Sequence, residues 1–181
     1  NALFVLARFN FSKDDWMKFG DPLTTRLDFL ENSTNESYKI MLPAVYIQIL
    51  NFHPLVKTFL VEYGKSVNVK YQQAMSEVVW LRASDFYAED WFETVLIAGA
   101  GWDYSHAGIA NNMQYTLLNL VESNPTLSLK YLNSWIINEN NSIGQLKIFR
   151  HEITSLFAKN RELLEEWITT SFLSHNDRFH L

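Results

Sequence analysis

The chain has no cysteine among its 181 residues. Disulfide bonds, thiolate metal sites and a cysteine nucleophile are therefore excluded, and a reducing compartment is favoured, with the cytoplasm as the expected location. Long apolar runs are missing as well. No run approaches the 18 residues of a membrane-spanning helix, so membrane insertion is not expected. Asn1 stands where an initiator Met would, which indicates processing, an expression remnant or a fragment of a longer chain.

Basic residues are absent from residues 83–129, a span with six carboxylates and no Lys or Arg. The net charge of the chain is −5, so the rest of the sequence is close to neutral and has no basic stripe that would bind phosphates. Nucleic acid is therefore not an expected partner. The carboxylates of Glu89, Asp90 and Glu93 form a candidate acidic docking surface for a protein partner of basic character. The alternative interpretation is an ordinary solvated helix face.

Only four prolines and six glycines interrupt the sequence, and the prolines predict helix starts. Proline loses no hydrogen bond in the first turn of a helix, and its φ is already helical. We therefore predict helices that begin at Pro22, Pro43, Pro54 and Pro125. Gly64 is predicted to end a helix as a left-handed C-cap. Further starts are predicted at side chains that can cap a helix: Ser12, Asp21, Ser66, Ser84, Ser142 and Asn160.

Apolar residues recur at helical spacing along most of the chain. One stripe consists of Ile109, Met113, Leu117 and Leu120. The same pattern predicts that Phe59 and Phe149 are core residues, and it places Trp135 and Trp167 on buried faces. No segment alternates as a hairpin of strands would, although residues 3–9 are ambiguous. The sequence therefore predicts a single all-α domain over residues 1–181.

The predicted helix starts of the second half recur every 17 to 21 residues, so that two helices make a unit of roughly 35–41 residues. A weak sequence repeat accompanies this spacing, since Asn124 precedes Trp135 and Ile136, and Asn160 precedes Trp167 and Ile168. On these features the chain resembles HEAT-like α-helical repeat proteins over about residues 40–181. The resemblance implies antiparallel helical hairpins stacked as an α-solenoid. An irregular helical bundle is the alternative.

The segment 99–108 has the most unusual local chemistry, because it contains half of the glycines beside aromatic, acidic, hydroxyl and imidazole groups. We treat Trp102, Asp103, Tyr104 and His106 as a candidate binding loop. Asp103 and His106 are three residues apart, so on a helix the carboxylate would orient the imidazole as a base. Ser105 lacks the glycine pattern of a strained nucleophile. The alternative is a turn between helices whose aromatic side chains pack in the core.

No cofactor and no metal ligand is predicted. Residues 95–101 look like a strand with the first two glycines of a dinucleotide-binding turn, but Tyr104 replaces the third glycine and no second strand follows. The five histidines do not form a metal-binding pattern. They are His53, His106, His151, His175 and His180.

The sequence favours a protein-interaction or scaffold module of helical-repeat type, with no catalytic activity assigned. Solenoids present extended surfaces and need no catalytic residues. The alternative is a helical enzyme or small-ligand-binding protein with a pocket near residues 99–108. HEAT-like DNA repair glycosylases would need a basic concave groove, which the charge distribution disfavours.

Overall fold

A computed structural model describes residues 2–139, 141 and 143–169 of the chain. All regular structure in these residues is helical, which confirms the predicted all-α class. Two short 3-10 helices are present, at Ile47–Ile49 and at Lys147–Phe149. The α-helices are α1 (Ala2–Leu6), α2 (Lys13–Glu31), α3 (Glu36–Lys39), α4 (Leu42–Tyr46), α5 (Val56–Gly64), α6 (Val69–Phe86), α7 (Asp90–Gly99), α8 (Ala107–Ser123), α9 (Pro125–Ile137), α10 (Ile143–Leu146), α11 (Arg150–Lys159) and α12 (Arg161–Trp167).

The later helices lie in two layers. One layer consists of α4, α6, α8 and α11, and the other of α5, α7, α9 and α12, each helix packing on the next member of its layer. The layers are joined by hairpins, because α4 also packs on α5, α6 on α7, α8 on α9 and α11 on α12. A single residue, Asn124, connects α8 to α9, so these two helices must reverse direction in order to pack.

Polar contacts between successive hairpins join residues about one hairpin unit apart. The Trp102 indole bonds to a carbonyl 38 residues earlier, the Asn112 amide to a hydroxyl 36 residues earlier, and the Lys130 ammonium to a carboxylate 37 residues earlier. These separations lie within the roughly 35–41 residues that the spacing of helix starts predicts. The α8–α9 hairpin is therefore held to the α6–α7 hairpin by side chains from both of its helices.

Of the four predicted proline starts, two are confirmed, one is displaced by two residues and one is wrong. Pro43 stands in the first turn of α4, and Pro125 is the first residue of α9. Pro54 lies two residues before α5 begins at Val56. Pro22, however, lies inside α2, so neither Pro22 nor Asp21 starts a helix. Pro22 is exposed, and the carbonyl four residues before it, which lacks an amide partner, belongs to an exposed residue that water can reach.

The cap predictions also had mixed outcomes. Ser12 is the N-cap of α2 and forms a capping box with Asp15. Ser84 was wrongly predicted, because α6 continues through it to Phe86. The N-cap of α6 is Asn68, so the predicted cap, Ser66, was placed two residues too early. A helix begins directly after Asn160 as predicted, since α12 starts at Arg161, and Asn160 is also the C-cap of α11, where its side-chain amide donates to a carbonyl of the last turn. Ser142 lies outside the described residues.

Gly64 does not form the predicted left-handed cap. It is the last residue of α5, and no glycine in the described part of the chain has a positive φ. Glycine suits position 64 because there is little room for a side chain: a Cβ on Gly64 would lie 3.0 Å from a methyl of Val95 on α7. Gly64 therefore lets α5 and α7 approach closely.

The core prediction is confirmed for Phe149, which is fully buried. Phe59 was placed wrongly, because it is only partly buried and stacks on Tyr46 with ring centroids 5.3 Å apart. Trp135 and Trp167 are buried as predicted, and the ambiguous residues 3–9 form α1 and a following turn. The predicted stripe on α8 is entirely buried: Ile109, Met113, Leu117 and Leu120.

Candidate functional site

The aromatic residues of the candidate binding loop lie in the core. Trp102 is buried and its indole Nε1 donates to the Gly64 carbonyl oxygen at 2.8 Å. The hydroxyl of Tyr104 donates to the Gly99 carbonyl oxygen at 2.7 Å and is also hydrogen-bonded to the hydroxyl of Tyr131. Burial raises the pKa of both tyrosines, so these phenols stay neutral. Trp102 and Tyr104 thus fasten the turn between α7 and α8 to the hairpins on either side.

Asp103 is exposed and its carboxylate is engaged by Ser105. It accepts from the Ser105 hydroxyl at 2.6 Å and from the Ser105 amide at 3.0 Å, and these bonds lower the pKa of the Asp103 carboxyl. Gln72 on α6 accepts from the Asp103 amide at 2.9 Å and holds the turn in place. The carboxylate is therefore part of the turn itself.

His106 is the N-cap residue of α8, and its imidazole is partly buried. The backbone amide of His106 donates to the Asp103 carbonyl oxygen at 3.1 Å. Within the described part of the chain, the Asp103 carboxylate is hydrogen-bonded to Ser105 and not to the His106 imidazole. The Nδ1 atom of His106 is buried and has no hydrogen-bond partner within the described part of the chain. The carboxylate-oriented imidazole that the sequence spacing suggested is thus not formed. Of the four residues of the candidate binding loop, His106 is the one whose side chain has a buried polar atom without a hydrogen-bond partner in the described part of the chain.

The candidate acidic docking surface lies at the start of α7 and is partly neutralised. Lys57 Nζ lies 2.7 Å from the Glu89 carboxylate, and Lys130 Nζ lies 2.7 Å from the Glu93 carboxylate. Asp90 is exposed in the first turn of α7, where the helix dipole favours its charge. All of these side chains are about half exposed or more, so each ion pair is weak.

The pairing extends to the rest of the acidic span. Asp85 lies 2.9 Å from Arg82, and Glu122 lies 2.7 Å from Lys159, which lowers the pKa of the Glu122 carboxyl. Four of the six carboxylates of residues 83–129 therefore lie beside a cation from outside that span. The surface formed by residues 83–129 therefore carries less net negative charge than the sequence of this span suggests, because cations from other segments lie beside its carboxylates.

A groove that the sequence did not predict lies between α1, α4 and α6, and we call it the α1–α6 groove. It encloses about 490 Å³, a volume typical of ligand sites. Small side chains leave this room: Ala7 in the turn after α1, Ala44 on α4 and Ala74 on α6. The larger apolar lining residues are Phe4, Ile40, Met41, Ile47, Val78 and Leu81.

Phe4 and Leu81 distinguish this groove from a gap in the core. Ile47 and Val78 are buried, but Phe4 is 51% exposed and Leu81 is 58% exposed. A large apolar side chain half exposed beside an apolar cavity offers surface that a bound molecule would bury. The groove is thus an open apolar site on the outside of the helical stack.

Comparisons with known proteins give no relative for this chain. Neither a protein-family model, nor a curated protein, nor a solved structure matches it significantly. The HEAT-like resemblance therefore stays a prediction, and function is inferred from geometry.

Two further findings concern membrane spans and metal sites. None of the described helices is long and apolar enough to cross a lipid bilayer. Within residues 2–139, 141 and 143–169, no three His, Asp or Glu side chains come together where they would hold a metal ion. His175 and His180 lie outside this part of the chain.

The wall of the groove formed by α1 is held by both apolar and polar contacts. Leu3 is buried in the core, and the Gln48 side chain donates to the Ala7 carbonyl oxygen at 3.1 Å. The Arg8 guanidinium lies 4.2 Å from the centre of the Phe4 ring. The sequence contained little that would have indicated this groove. The indications were the apolar character of residues 3–9 and Leu81, which lies off the buried stripe of α6.

Proposed function

We propose that the chain is a protein-interaction module of stacked helical hairpins, which binds a segment of a protein partner in the α1–α6 groove. The observation that supports this most is the half-exposed pair Phe4 and Leu81 at the edge of one apolar cavity. Complete burial of a large apolar side chain stabilises a complex by roughly 1.5–3 kcal/mol. Because Phe4 and Leu81 are already about half buried, covering what remains exposed contributes about half of that value for each side chain.

The stacking of the hairpins supports the HEAT-like part of this proposal, because helical-repeat proteins bind partners on extended surfaces. Contacts 36 to 38 residues apart fit a repeated unit of that size. We also propose the cytoplasm as the location, since a chain without cysteine has no disulfide that a reducing compartment would break.

The proposal is tested by selecting binders from a library of displayed 16-residue peptides. The selected peptides are then measured against a Leu81→Glu variant, which places a charge in the groove. The matched control is Leu55→Glu, because Leu55 is 54% exposed and does not line the groove. We expect Leu81→Glu to weaken binding about tenfold or more, which corresponds to about 1.4 kcal/mol. Leu55→Glu should bind as the wild type does.

Circular dichroism and thermal unfolding of both variants establish that they are folded. Peptides that bind equally well to the wild type and to the Leu81→Glu variant would show that the groove is not the binding site. Failure to select any peptide would contradict the proposed function.

The acidic docking surface is a separate prediction for a basic partner. Lys57 and Lys130 already lie beside Glu89 and Glu93, so a basic partner has to displace them. Changing both lysines to Gln should therefore strengthen the binding of an oligolysine peptide, measured at low salt. Neutralising the three carboxylates together, Asp90 included, should weaken it. Equal binding by all variants would remove this surface from consideration.

A further inference from the structure

The length of the α1–α6 groove is set by α6. The lining residues of this helix extend from Lys70 to Arg82, a separation of twelve residues. At 1.5 Å per residue this is about 18 Å, or a little over three helical turns. An amphipathic helix of about twelve residues would match that length with apolar side chains on a single face, which is a common way of recognising peptides.

The side chains that line the groove carry more positive than negative charge, although the protein as a whole is acidic and two of the cations lie beside carboxylates. The lining contains three cations, Arg8, Lys70 and Arg82, and one carboxylate, Glu77, whereas the whole chain has a net charge of −5. Two of the cations have neighbours of opposite charge. Lys70 lies 3.4 Å from Glu36 with both side chains more than half exposed, and Arg82 lies 2.9 Å from Asp85. The exposed Lys70 pair is weak, so a carboxylate of a partner can compete for Lys70. The Arg82 side chain is 33% exposed, and a guanidinium has five N–H donors, so it can bind a second carboxylate beside Asp85.

The positions of the cations favour a helix over a small amphiphile. Lys70 and Arg82 stand at opposite ends of the α6 wall, so a single anionic headgroup cannot reach both. On a bound helix, residues i and i+11 lie on the same face and are about 16 Å apart. Two carboxylates at that spacing would lie near the two ends of the wall. Glu77 lies between these ends and would face a basic or neutral residue of the bound helix.

We infer that the occupant of the groove is an acidic amphipathic α-helix of a protein partner, with carboxylates about three turns apart beside its apolar face. This inference rests on the proposed function, because it identifies the chemistry of the segment that the groove binds. Lys70 and Arg82 are the residues that select for acidic segments, and Leu81 and Phe4 provide the apolar contact.

The first test is the composition of the selected peptides whose binding depends on Leu81. They should be enriched in Asp or Glu at i and i+11 beside apolar residues at i, i+3 or i+4, and i+7 spacing. Circular dichroism should show that they gain helix when bound. Groove-dependent peptides that are neutral or basic would overturn the inference and leave the proposed function intact.

The second test is a charge exchange on the tightest of these peptides. Lys70→Glu should weaken its binding about tenfold or more, and a peptide with Lys in place of one terminal acid should recover most of this loss. The matched control is Lys159→Glu, since Lys159 is also an exposed lysine paired between helices but lies outside the groove. Unchanged affinity in Lys70→Glu, or an equal loss in Lys159→Glu, would contradict the assigned role of Lys70.

A small amphiphile would give a different result. The selection would then yield no peptide that depends on Leu81, while a dansyl-labelled fatty acid would bind to the wild type and to the Leu55→Glu variant but not to the Leu81→Glu variant. That outcome would overturn both the inference and the protein-interaction function.

Discussion

Glu31 at the end of α2 connects this helix to the hairpin that follows it. One oxygen of its carboxylate accepts from the Tyr46 hydroxyl at 2.9 Å and from the Tyr63 hydroxyl at 3.1 Å. Both tyrosines are buried, and they lie on α4 and α5. We therefore predict that Glu31→Ala destabilises the protein strongly although Glu31 itself is partly exposed.

The magnitude follows from the two phenols. A hydrogen bond to a charged group stabilises a fold by about 1.5–3 kcal/mol, and an orphaned buried hydroxyl costs about 1–3 kcal/mol. Because Glu31 is only partly buried, water can replace part of each bond, so the lower values apply. The expected loss for Glu31→Ala is about 3 kcal/mol. Glu31→Gln keeps an acceptor oxygen without the charge and should lose about half as much.

Urea unfolding followed by tryptophan fluorescence measures these free energies. The control is the Tyr46→Phe, Tyr63→Phe double variant, in which no hydroxyl remains to be orphaned. Glu31→Ala in that background should cost less than about 1 kcal/mol, because interacting groups are not additive. The same loss in both backgrounds would show that the carboxylate does not act through the two phenols.

Three other predictions follow from burial and packing. Burial raises the pKa of four tyrosines above the ordinary value of 10.0, so these phenols stay protonated in the folded protein at a pH where they ionise in the unfolded chain. The free energy of unfolding should therefore be unaffected by them below about pH 10 and should fall as the pH rises further. Absorbance at 295 nm should show that these phenols ionise only when the protein unfolds. These tyrosines are Tyr46, Tyr63, Tyr104 and Tyr131. Phe149→Ala should cost about 3–5 kcal/mol in urea unfolding and Phe59→Ala distinctly less, since only Phe149 is fully buried, and similar losses would contradict the difference in burial. Gly64→Ala should fail to stabilise the wild type but should stabilise a Val95→Ala variant in thermal unfolding, because that change removes the methyl 3.0 Å from the new Cβ, and a gain in both backgrounds would refute the steric argument.

The existence of the helices was predictable because it depends on local periodicity. The stripe on α8 and the start of α9 at Pro125 both follow from rules that act within a few residues. Boundaries were less predictable. Ser84 is compatible with a helix start and also with a helix interior. Pro22 lies inside α2 although proline there removes a backbone hydrogen bond, which is a cost that the sequence alone gives no reason to expect. Packing of the flanking apolar residues decides between these possibilities, and it is not a local property.

The candidate binding loop shows a different limit. Trp102 and Tyr104 have the side chains of a binding site, but each combines an apolar body with one polar atom, which also suits a buried residue bonded to a backbone carbonyl. Their partners, Gly64 and Tyr131, come from neighbouring hairpins. The charge that a partner would meet at the acidic span could not be read from the sequence for the same reason, since Lys57 and Lys130 reach it from helices on either side of α7.

The α1–α6 groove arises from unequal helix lengths within one layer. α6 and α8 have 18 and 17 residues and cover one another along their length, whereas α4 has only five residues before the chain passes into a 3-10 turn. At 1.5 Å per residue, α4 is about 8 Å long beside an α6 of about 27 Å. Leu81, near the end of α6, is therefore left half exposed, and Phe4 of α1, which also lines the groove, is half exposed as well. An added helix of about three turns would complete the layer at this position, which is the geometric reason for proposing that a partner supplies one.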